Sequence, residues 1–103
     1  MPRVSFRPQA RAEIREARRW YEGQVPGLGR AFIAELDATL AFLKLHPQMH
    51  AAVSEDGNVR RALLHRFPYS LVYEVMDANE IVVLACRHVR QDEINWNLPR
   101  RDK

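Results

Sequence analysis

The sequence contains one nearly continuous apolar run, Ile81-Val82-Val83-Leu84-Ala85-Cys86, in its C-terminal third. Successive side chains of a β-strand point to opposite faces of the sheet. A run that is apolar at every position therefore predicts a strand that is buried on both faces. We expect this strand to extend from Ile81 to Arg87 and to have a central position in its sheet.

Shorter strand candidates surround this run. Pro68 separates a candidate over Val59 to Phe67 from another over Tyr69 to Met76. The segment Asp77-Ala78-Asn79-Glu80 is then predicted to form a hairpin loop. Near the N-terminus, Val4-Ser5-Phe6 is a short strand candidate that ends before a proline.

The N-terminal half has the spacing of two amphipathic helices. Pro8 suits a first helical turn, and apolar residues recur after it at Ala10, Ile14, Ala17 and Tyr21. Gly23 to Gly29 interrupts this pattern with three glycines and a proline. A second apolar stripe extends to about Leu45, where His46-Pro47 ends it, and consists of Leu28, Phe32, Leu36, Leu40 and Leu43. The two segments predict a helical hairpin.

These elements predict an α+β fold with the order β-α-α-β-β-β, in which the helical hairpin packs on a small, mostly antiparallel sheet. Residues 46–58 are interpreted as a polar connection between the helices and the sheet. The length of 103 residues predicts a single domain over residues 1–103.

The composition excludes several classes of protein. Hydrophobic residues make up 47% and charged residues 28%, which is typical of a globular protein and argues against disorder. Cys86 is the only cysteine, so neither an intramolecular disulfide nor a Cys-rich zinc site can form. No run approaches the ~20 apolar residues of a membrane span, and the N-terminal arginines argue against a signal peptide. We therefore expect a cytoplasmic domain without a membrane partner.

The net charge of +3 comes mainly from arginine, which supplies 14 of the 16 basic residues. Arginine has a planar, permanently charged head that suits carboxylates and phosphates. So small an excess does not by itself indicate nucleic-acid binding, and direct binding is not expected. An acidic protein partner and a solvated surface both remain open.

Cysteine and histidine offer few sites for chemistry. Cys86 and His88 are predicted to share a strand face roughly 7 Å apart, but a nucleophile pair would also need a third, orienting group. Packing is therefore the favoured role of the cysteine. His46, His50 and His65 have no accompanying carboxylate cluster at ligand spacing. We expect neither a metal site nor a cofactor.

The arginines of the second predicted strand have two open interpretations. Alternation places Arg60 and Arg66 on one face and Arg61 on the other. Arg61 could pair with a helix carboxylate, Glu13 or Glu35, while the other two are solvated. Alternatively, an arginine of this set contacts a target or an acidic partner.

Aromatic and histidine side chains cluster towards the C-terminus. The string Phe67-Pro68-Tyr69-Ser70-Leu71-Val72-Tyr73 predicts core packing with tyrosine hydroxyls at the rim, and Tyr73 in particular is expected in the core. His88 ends the central strand, where it could form part of a site or hydrogen-bond the C-terminal segment. Trp96 is predicted to anchor that segment.

Together these short motifs resemble the RelE/ParE superfamily of bacterial toxins, and within it the ParE-like branch. The resemblance covers about residues 4–96 and rests on the order and spacing of Ala10-x-x-x-Ile14, Trp20-Tyr21-Glu22, Pro26-Gly27-Leu28-Gly29 before Phe32, Leu43 with Pro47, Arg60-Arg61, Phe67-Pro68-Tyr69 with Tyr73, and His88 with Trp96. The ending differs from the usual ParE-like pattern, since Glu93 stands where a proline commonly precedes the tryptophan by three residues.

The resemblance implies the toxin of a type II toxin–antitoxin pair, in which a labile antitoxin wraps and neutralises the toxin. Members of the ParE-like branch poison DNA gyrase, whereas RelE-like members cleave mRNA in the ribosome. The implied partners are thus a cognate antitoxin, in a hetero-oligomer, and DNA gyrase as the target.

The residues favour the gyrase inhibitor over the ribonuclease. RelE-like ribonucleases rely on lysines and arginines along the middle strands and often on a tyrosine near the C-terminus. Here Arg90 matches one such arginine, but Ser70 replaces a strand arginine and Trp96 replaces the tyrosine. The resemblance leaves Arg90, Arg61 and His88 as the catalytic residues if the chain is a ribonuclease. A non-toxic module that only binds its antitoxin is a further alternative.

The residues that could contact the target or the antitoxin are spread over the C-terminal half. They are Arg60, Arg61, Arg66, Tyr69, His88, Arg90 and Trp96.

Overall fold

The structure, a computed structural model, describes residues 2–91. The elements in chain order are β1 (Arg3–Phe6), α1 (Pro8–Gln24), α2 (Leu28–Leu45), β2 (Ala51–Ala52), β3 (Val59–Leu63), β4 (Tyr69–Asp77), β5 (Glu80–His88) and a 3-10 turn (Val89–Gln91). The strands form one sheet in the order β1-β5-β4-β3-β2, where β1 pairs with β5 in parallel and all other pairs are antiparallel. Within residues 2–91, no helix is both long and apolar enough to cross a membrane.

The predicted α+β architecture and the β-α-α-β-β-β order are confirmed, with one additional strand. β2 falls in the segment interpreted as a polar connection, where Ala51 and Ala52 pair with Arg61 and Arg60. Two alanines are too few to show the alternation of apolar and polar residues from which a strand is predicted. β2 therefore forms through its backbone pairing with the edge of β3.

The link between the helices is shorter than the glycine pattern predicts. Gly23 lies within α1 and Gly29 lies within α2, so only residues 25–27 connect the two helices. Gly27 adopts a left-handed conformation with φ of 92°, which glycine accepts without steric strain.

Glu22, in the last turn of α1, caps the N-terminus of α2. Its carboxylate accepts hydrogen bonds from the backbone N–H groups of Gly27 and Gly29, each at 3.0 Å. The first N–H groups of a helix have no partner within the helix, and a negative charge there is stabilised by the helix dipole. These backbone hydrogen bonds lower the pKa of Glu22.

The apolar stripes of both helices pack on one face of the sheet, as predicted. Ala10, Ala17, Tyr21, Phe32, Leu36 and Leu43 are buried there against side chains from β3, β4 and β5. A smaller apolar cluster lies on the opposite face and consists of Val59, Val72, Val82, Leu84 and Ala85.

The run from Ile81 to Cys86 forms β5, and all six of its side chains are buried. β5 lies between β1 and β4, so its predicted burial on both faces is confirmed, but the central position in the sheet belongs to β4. Between Val72 and Tyr73 the register with β5 shifts by one residue, which leaves Leu84 as an extra residue in β5. This β-bulge reverses the alternation, so that Cys86 returns to the face that the helices cover.

Candidate functional site

Beyond the end of β1, the outer edge of β5 has no neighbouring strand within residues 2–91. Helix α1 covers this edge instead. Phe6 is the last residue of β1 to pair, opposite Val83. Further along β5, the backbone N–H of Cys86 donates to Oε1 of Glu13 at 2.8 Å. Nη1 of Arg87 lies 3.4 Å from the other oxygen of the same carboxylate. The side chain of Glu13 thus replaces a strand neighbour and holds α1 against this edge.

A groove of about 600 Å³ lies between α1 and the C-terminal end of β5. We call it the α1–β5 groove. It is lined by Glu13, Glu16, Ala17, Trp20, Tyr21, Pro68, Tyr69, Cys86 and His88.

Three residues predicted as contact candidates lie together at the end of this groove. Tyr69 of β4 pairs with His88 of β5, and the centres of their rings are 5.3 Å apart. The backbone N–H of Arg90 donates to Nδ1 of His88 at 3.1 Å. Since Nδ1 accepts this bond, the neutral imidazole carries its proton on Nε2.

The floor of the groove holds groups that keep their protons at neutral pH. Burial and the nearby charge of Glu13 raise the pKa of the Cys86 thiol to about 12. Burial, together with Tyr21, Cys86 and Glu16, also raises the pKa of Tyr69. A thiol needs to be deprotonated to act as a nucleophile. Cys86 is buried in the apolar core under the helices, in agreement with the packing role that the sequence favours.

Arg60 lies at the other end of the sheet and supports a loop. Its Nη1 donates to the backbone carbonyls of His50, at 2.7 Å, and Gln48, at 3.2 Å. Arg60 pairs with Tyr73 in the sheet, four residues along β4 from Tyr69. This corresponds to roughly 13 Å along a strand, so Arg60 does not reach the α1–β5 groove.

Tyr73 is fully buried, which confirms its predicted place in the core. The sequence predicts tyrosine hydroxyls at the rim of the core. The hydroxyl of Tyr73 instead donates to the backbone carbonyl of Pro47 at 2.8 Å. Nδ1 of His50 lies 3.2 Å from the same hydroxyl oxygen and donates to it, because the hydroxyl proton is already engaged. Burial raises the pKa of Tyr73 to about 12, and burial and Arg60 lower that of His50.

The strand face that Arg60 and Arg66 are expected to share does not form. β3 ends at Leu63, so Arg66 lies beyond it and does not share a strand face with Arg60. Instead, the backbone N–H of Arg66 donates to Glu35, and its guanidinium lies 5.7 Å from the ring centre of Phe67.

Arg61 pairs with Val72, whose side chain belongs to the cluster on the sheet face away from the helices. The alternative in which Arg61 pairs with Glu13 or Glu35 does not fit this placement, because both carboxylates belong to helices on the other face. Glu35 instead accepts the backbone N–H groups of His65 and Arg66.

Two further expectations concern metals and the tail. Among residues 2–91, no three histidine, cysteine or acidic side chains are grouped closely enough to hold a metal ion. Trp96, with Glu93, lies outside the described residues.

Most residues of the groove, among them Trp20 and Glu16, are not contact candidates in the sequence analysis. The side chain of Trp20 is 57% exposed, and it does not belong to the apolar stripe of α1. A large aromatic residue on the polar face of an amphipathic helix was a usable signal, since such residues are enriched in interfaces.

The chain was compared with protein-family models, with curated proteins and with solved structures. Residues 4–93 match the family model described as "ParE toxin of type II toxin-antitoxin system, parDE". The chain belongs to the ParE toxin family. The resemblance to the ParE-like branch predicted from the sequence is thereby confirmed.

A solved structure also has the fold of this ParE-family chain. It is described as "Chromosomal ParDE TA system from P. aeruginosa" and superposes with a TM-score of 0.71 at 21% sequence identity. The match covers 85% of the present chain and 96% of the other one. A comparison with curated proteins finds no match.

Proposed function

We propose that this ParE-family chain is an active toxin that inhibits DNA gyrase in the cytoplasm and is neutralised by a cognate antitoxin in a hetero-oligomer. Family membership supports the toxin–antitoxin assignment. The choice of gyrase over the ribosome rests on one observation, namely that Arg61 lies far from the other two catalytic candidates of a ribonuclease.

These candidates are Arg61, His88 and Arg90. Arg61 lies on β3, two strands from His88, and its partner Val72 is three residues along β4 from Tyr69, the partner of His88. Standard strand spacings put the backbones of Arg61 and His88 roughly 14 Å apart. Arg61 also lies on the sheet face away from the helices, whereas His88 lines the groove on the helix side.

Cleavage of RNA through its 2′-hydroxyl needs a base, an acid and a stabiliser of the phosphorane around one phosphate. Arg61 and His88 cannot serve the same phosphate at this separation. Ser70, at the position of a strand arginine in RelE-like ribonucleases, is fully buried. A toxin that acts by binding a protein target needs no such convergence.

One observation favours the ribonuclease as the second candidate. Tyr69, His88 and Arg90 are neighbours at one end of the sheet, and together they offer a phenol, an imidazole and a guanidinium. A test of the function must therefore include both targets.

The deciding experiment incubates the purified chain with gyrase and supercoiled plasmid, and in parallel with programmed ribosomes and mRNA. We expect inhibition or trapped DNA cleavage in the first assay and intact mRNA in the second. Arg60→Ala, Arg61→Ala and Arg90→Ala should each weaken gyrase inhibition to a different degree, because few interface residues contribute more than ~1 kcal/mol. Arg30→Ala, on the exposed side of α2, is the matched control and should behave as wild type.

Two results would contradict the proposal. Site-specific mRNA cuts that disappear with Arg90→Ala would establish the ribonuclease. No effect in either assay, combined with normal growth when the chain is induced in cells, would identify the non-toxic antitoxin-binding module.

A further inference from the structure

We propose that the α1–β5 groove binds a lysine or arginine side chain presented by a segment of the antitoxin. The identity of the occupant rests on the proposed function, while the chemistry of the groove stands on the contacts that follow.

Aromatic rings form the walls of the groove and are held in place by one another. Trp20 packs edge-to-face on Tyr21 with ring centres 5.1 Å apart, and Tyr21 packs on Tyr69 at 6.0 Å. Tyr69 in turn contacts His88. More than half of Trp20 stays exposed, so one large aromatic surface is positioned but uncovered. Tryptophan and tyrosine faces attract cations.

The charge of the groove is opposite to that of the chain. The chain carries a net charge of +3 with 14 arginines, yet the side chains that line the groove include two carboxylates and neither arginine nor lysine. Glu13 is already bound to Cys86 and Arg87. Glu16 is exposed and forms no ion pair within the described part of the chain.

The neutral floor leaves the carboxylates of Glu13 and Glu16 as the acidic groups that line the groove. The Cys86 thiol stays neutral because its pKa is raised to about 12, and Tyr69 stays neutral for the same physical reason. A phosphate or an acidic peptide would be repelled by Glu16, whereas an ammonium or guanidinium group would gain a carboxylate and aromatic faces together.

The antitoxin is the partner that this arrangement fits best. A neutralising complex must persist, and long-lived complexes depend on a few anchors seated in preformed pockets. The rings of the α1–β5 groove provide such a pocket. The phosphate backbone of a gyrase–DNA complex would instead meet a carboxylate here.

The test measures the affinity of the purified chain for its cognate antitoxin, by titration calorimetry. Trp20→Ala should raise Kd about 30-fold or more, the typical loss for an aromatic anchor. Glu16→Lys should raise Kd about tenfold and reduce the dependence of Kd on salt. The matched controls, Met49→Ala and Asp37→Lys, change an exposed apolar residue and an exposed acid outside the groove, and should leave Kd within about twofold.

The cation is then located by changing each lysine and arginine of the antitoxin to glutamine. One position should show coupling to Glu16 in a double-mutant cycle, and exchanging that cation for glutamate should restore binding to Glu16→Lys. Circular dichroism and melting curves confirm that each variant is folded.

Three results would overturn the inference. Unchanged Kd for both groove variants would show that the antitoxin does not use the groove. Coupling to an apolar residue instead of a cation would contradict the proposed chemistry. Reduced gyrase inhibition by Trp20→Ala with unchanged antitoxin affinity would assign the groove to the target. Failure of the proposed function itself appears separately, as an inactive wild-type chain in the gyrase assay.

Discussion

The carboxylate of Glu13 accepts a hydrogen bond from the backbone N–H of Cys86, 73 residues further along the chain. This bond begins where the pairing of β1 with β5 ends. It satisfies a backbone donor that would otherwise lack a partner at the edge of the sheet. Both residues line the α1–β5 groove, so the bond joins its two sides.

Removal of this carboxylate should destabilise the fold. We expect Glu13→Ala to lower the free energy of unfolding by ~1–3 kcal/mol, because a partly buried N–H group loses its acceptor. Urea denaturation followed by circular dichroism measures the change. Glu16→Ala removes an exposed carboxylate one turn away and should change stability by less than ~0.5 kcal/mol. Equal effects of the two variants would contradict the role of the Glu13–Cys86 bond.

Two helical glycines should respond to alanine with opposite signs. A Cβ on Gly29 would lie 2.9 Å from the carbonyl oxygen of Arg18 and from Oε1 of Glu22, so Gly29→Ala should destabilise by ~1–3 kcal/mol. A Cβ on Gly23 meets nothing within 4 Å. Gly23→Ala should therefore stabilise α1 by ~0.5–1 kcal/mol. The melting temperatures of the two variants test this prediction. A decrease of similar size in the melting temperatures of both variants would refute the steric explanation.

Stability should decrease at alkaline pH. Burial raises the pKa of Cys86 from 9.0 to about 12 and that of Tyr73 from 10.0 to about 12. The folded chain thus keeps protons that the unfolded chain releases. The free energy of unfolding is constant below about pH 9 with respect to these groups and decreases towards pH 12, by at most ~1.4 kcal/mol per pH unit and group.

The pH slope is measured by urea denaturation between pH 8 and 11. Tyr73→Phe and Cys86→Ala should each have a shallower slope than wild type, whatever their stability at pH 8. A slope that neither variant changes would exclude both groups as its cause.

A loss of stability at acidic pH should come from Glu22. Hydrogen bonds from Gly27 and Gly29 lower its pKa below the ordinary 4.5 in the folded chain. Its contribution is therefore present above about pH 4.5 and is lost as the pH falls through the lower pKa of the folded state. Melting curves between pH 6 and 3 should show a smaller decrease for Glu22→Gln than for wild type. An identical decrease would show that other carboxylates cause the acid effect.

The candidate site was only partly predictable. The sequence predicts Tyr69, His88 and Arg90 as contact residues, and the structure brings them together because β4 and β5 pair in the register that joins Tyr69 to His88. One of the two interpretations places Arg61 beside a helix carboxylate, but Arg61 lies on the other face of the sheet. The face of a strand residue depends on where the strand sits in the sheet, and alternation alone states only which residues share a face.

The sequence by itself determined the helical hairpin, the interior strand from Ile81 to Cys86 and the membership in the ParE toxin family. Each of these depends on residues close together in the chain, whose spacing is governed by local helix and strand geometry. The tertiary structure alone decided the bulge at Leu84, the bond from Cys86 to Glu13 and the exposure of Trp20 beside Tyr69. These depend on contacts between segments far apart in sequence, whose energies arise only when the helices pack on the sheet.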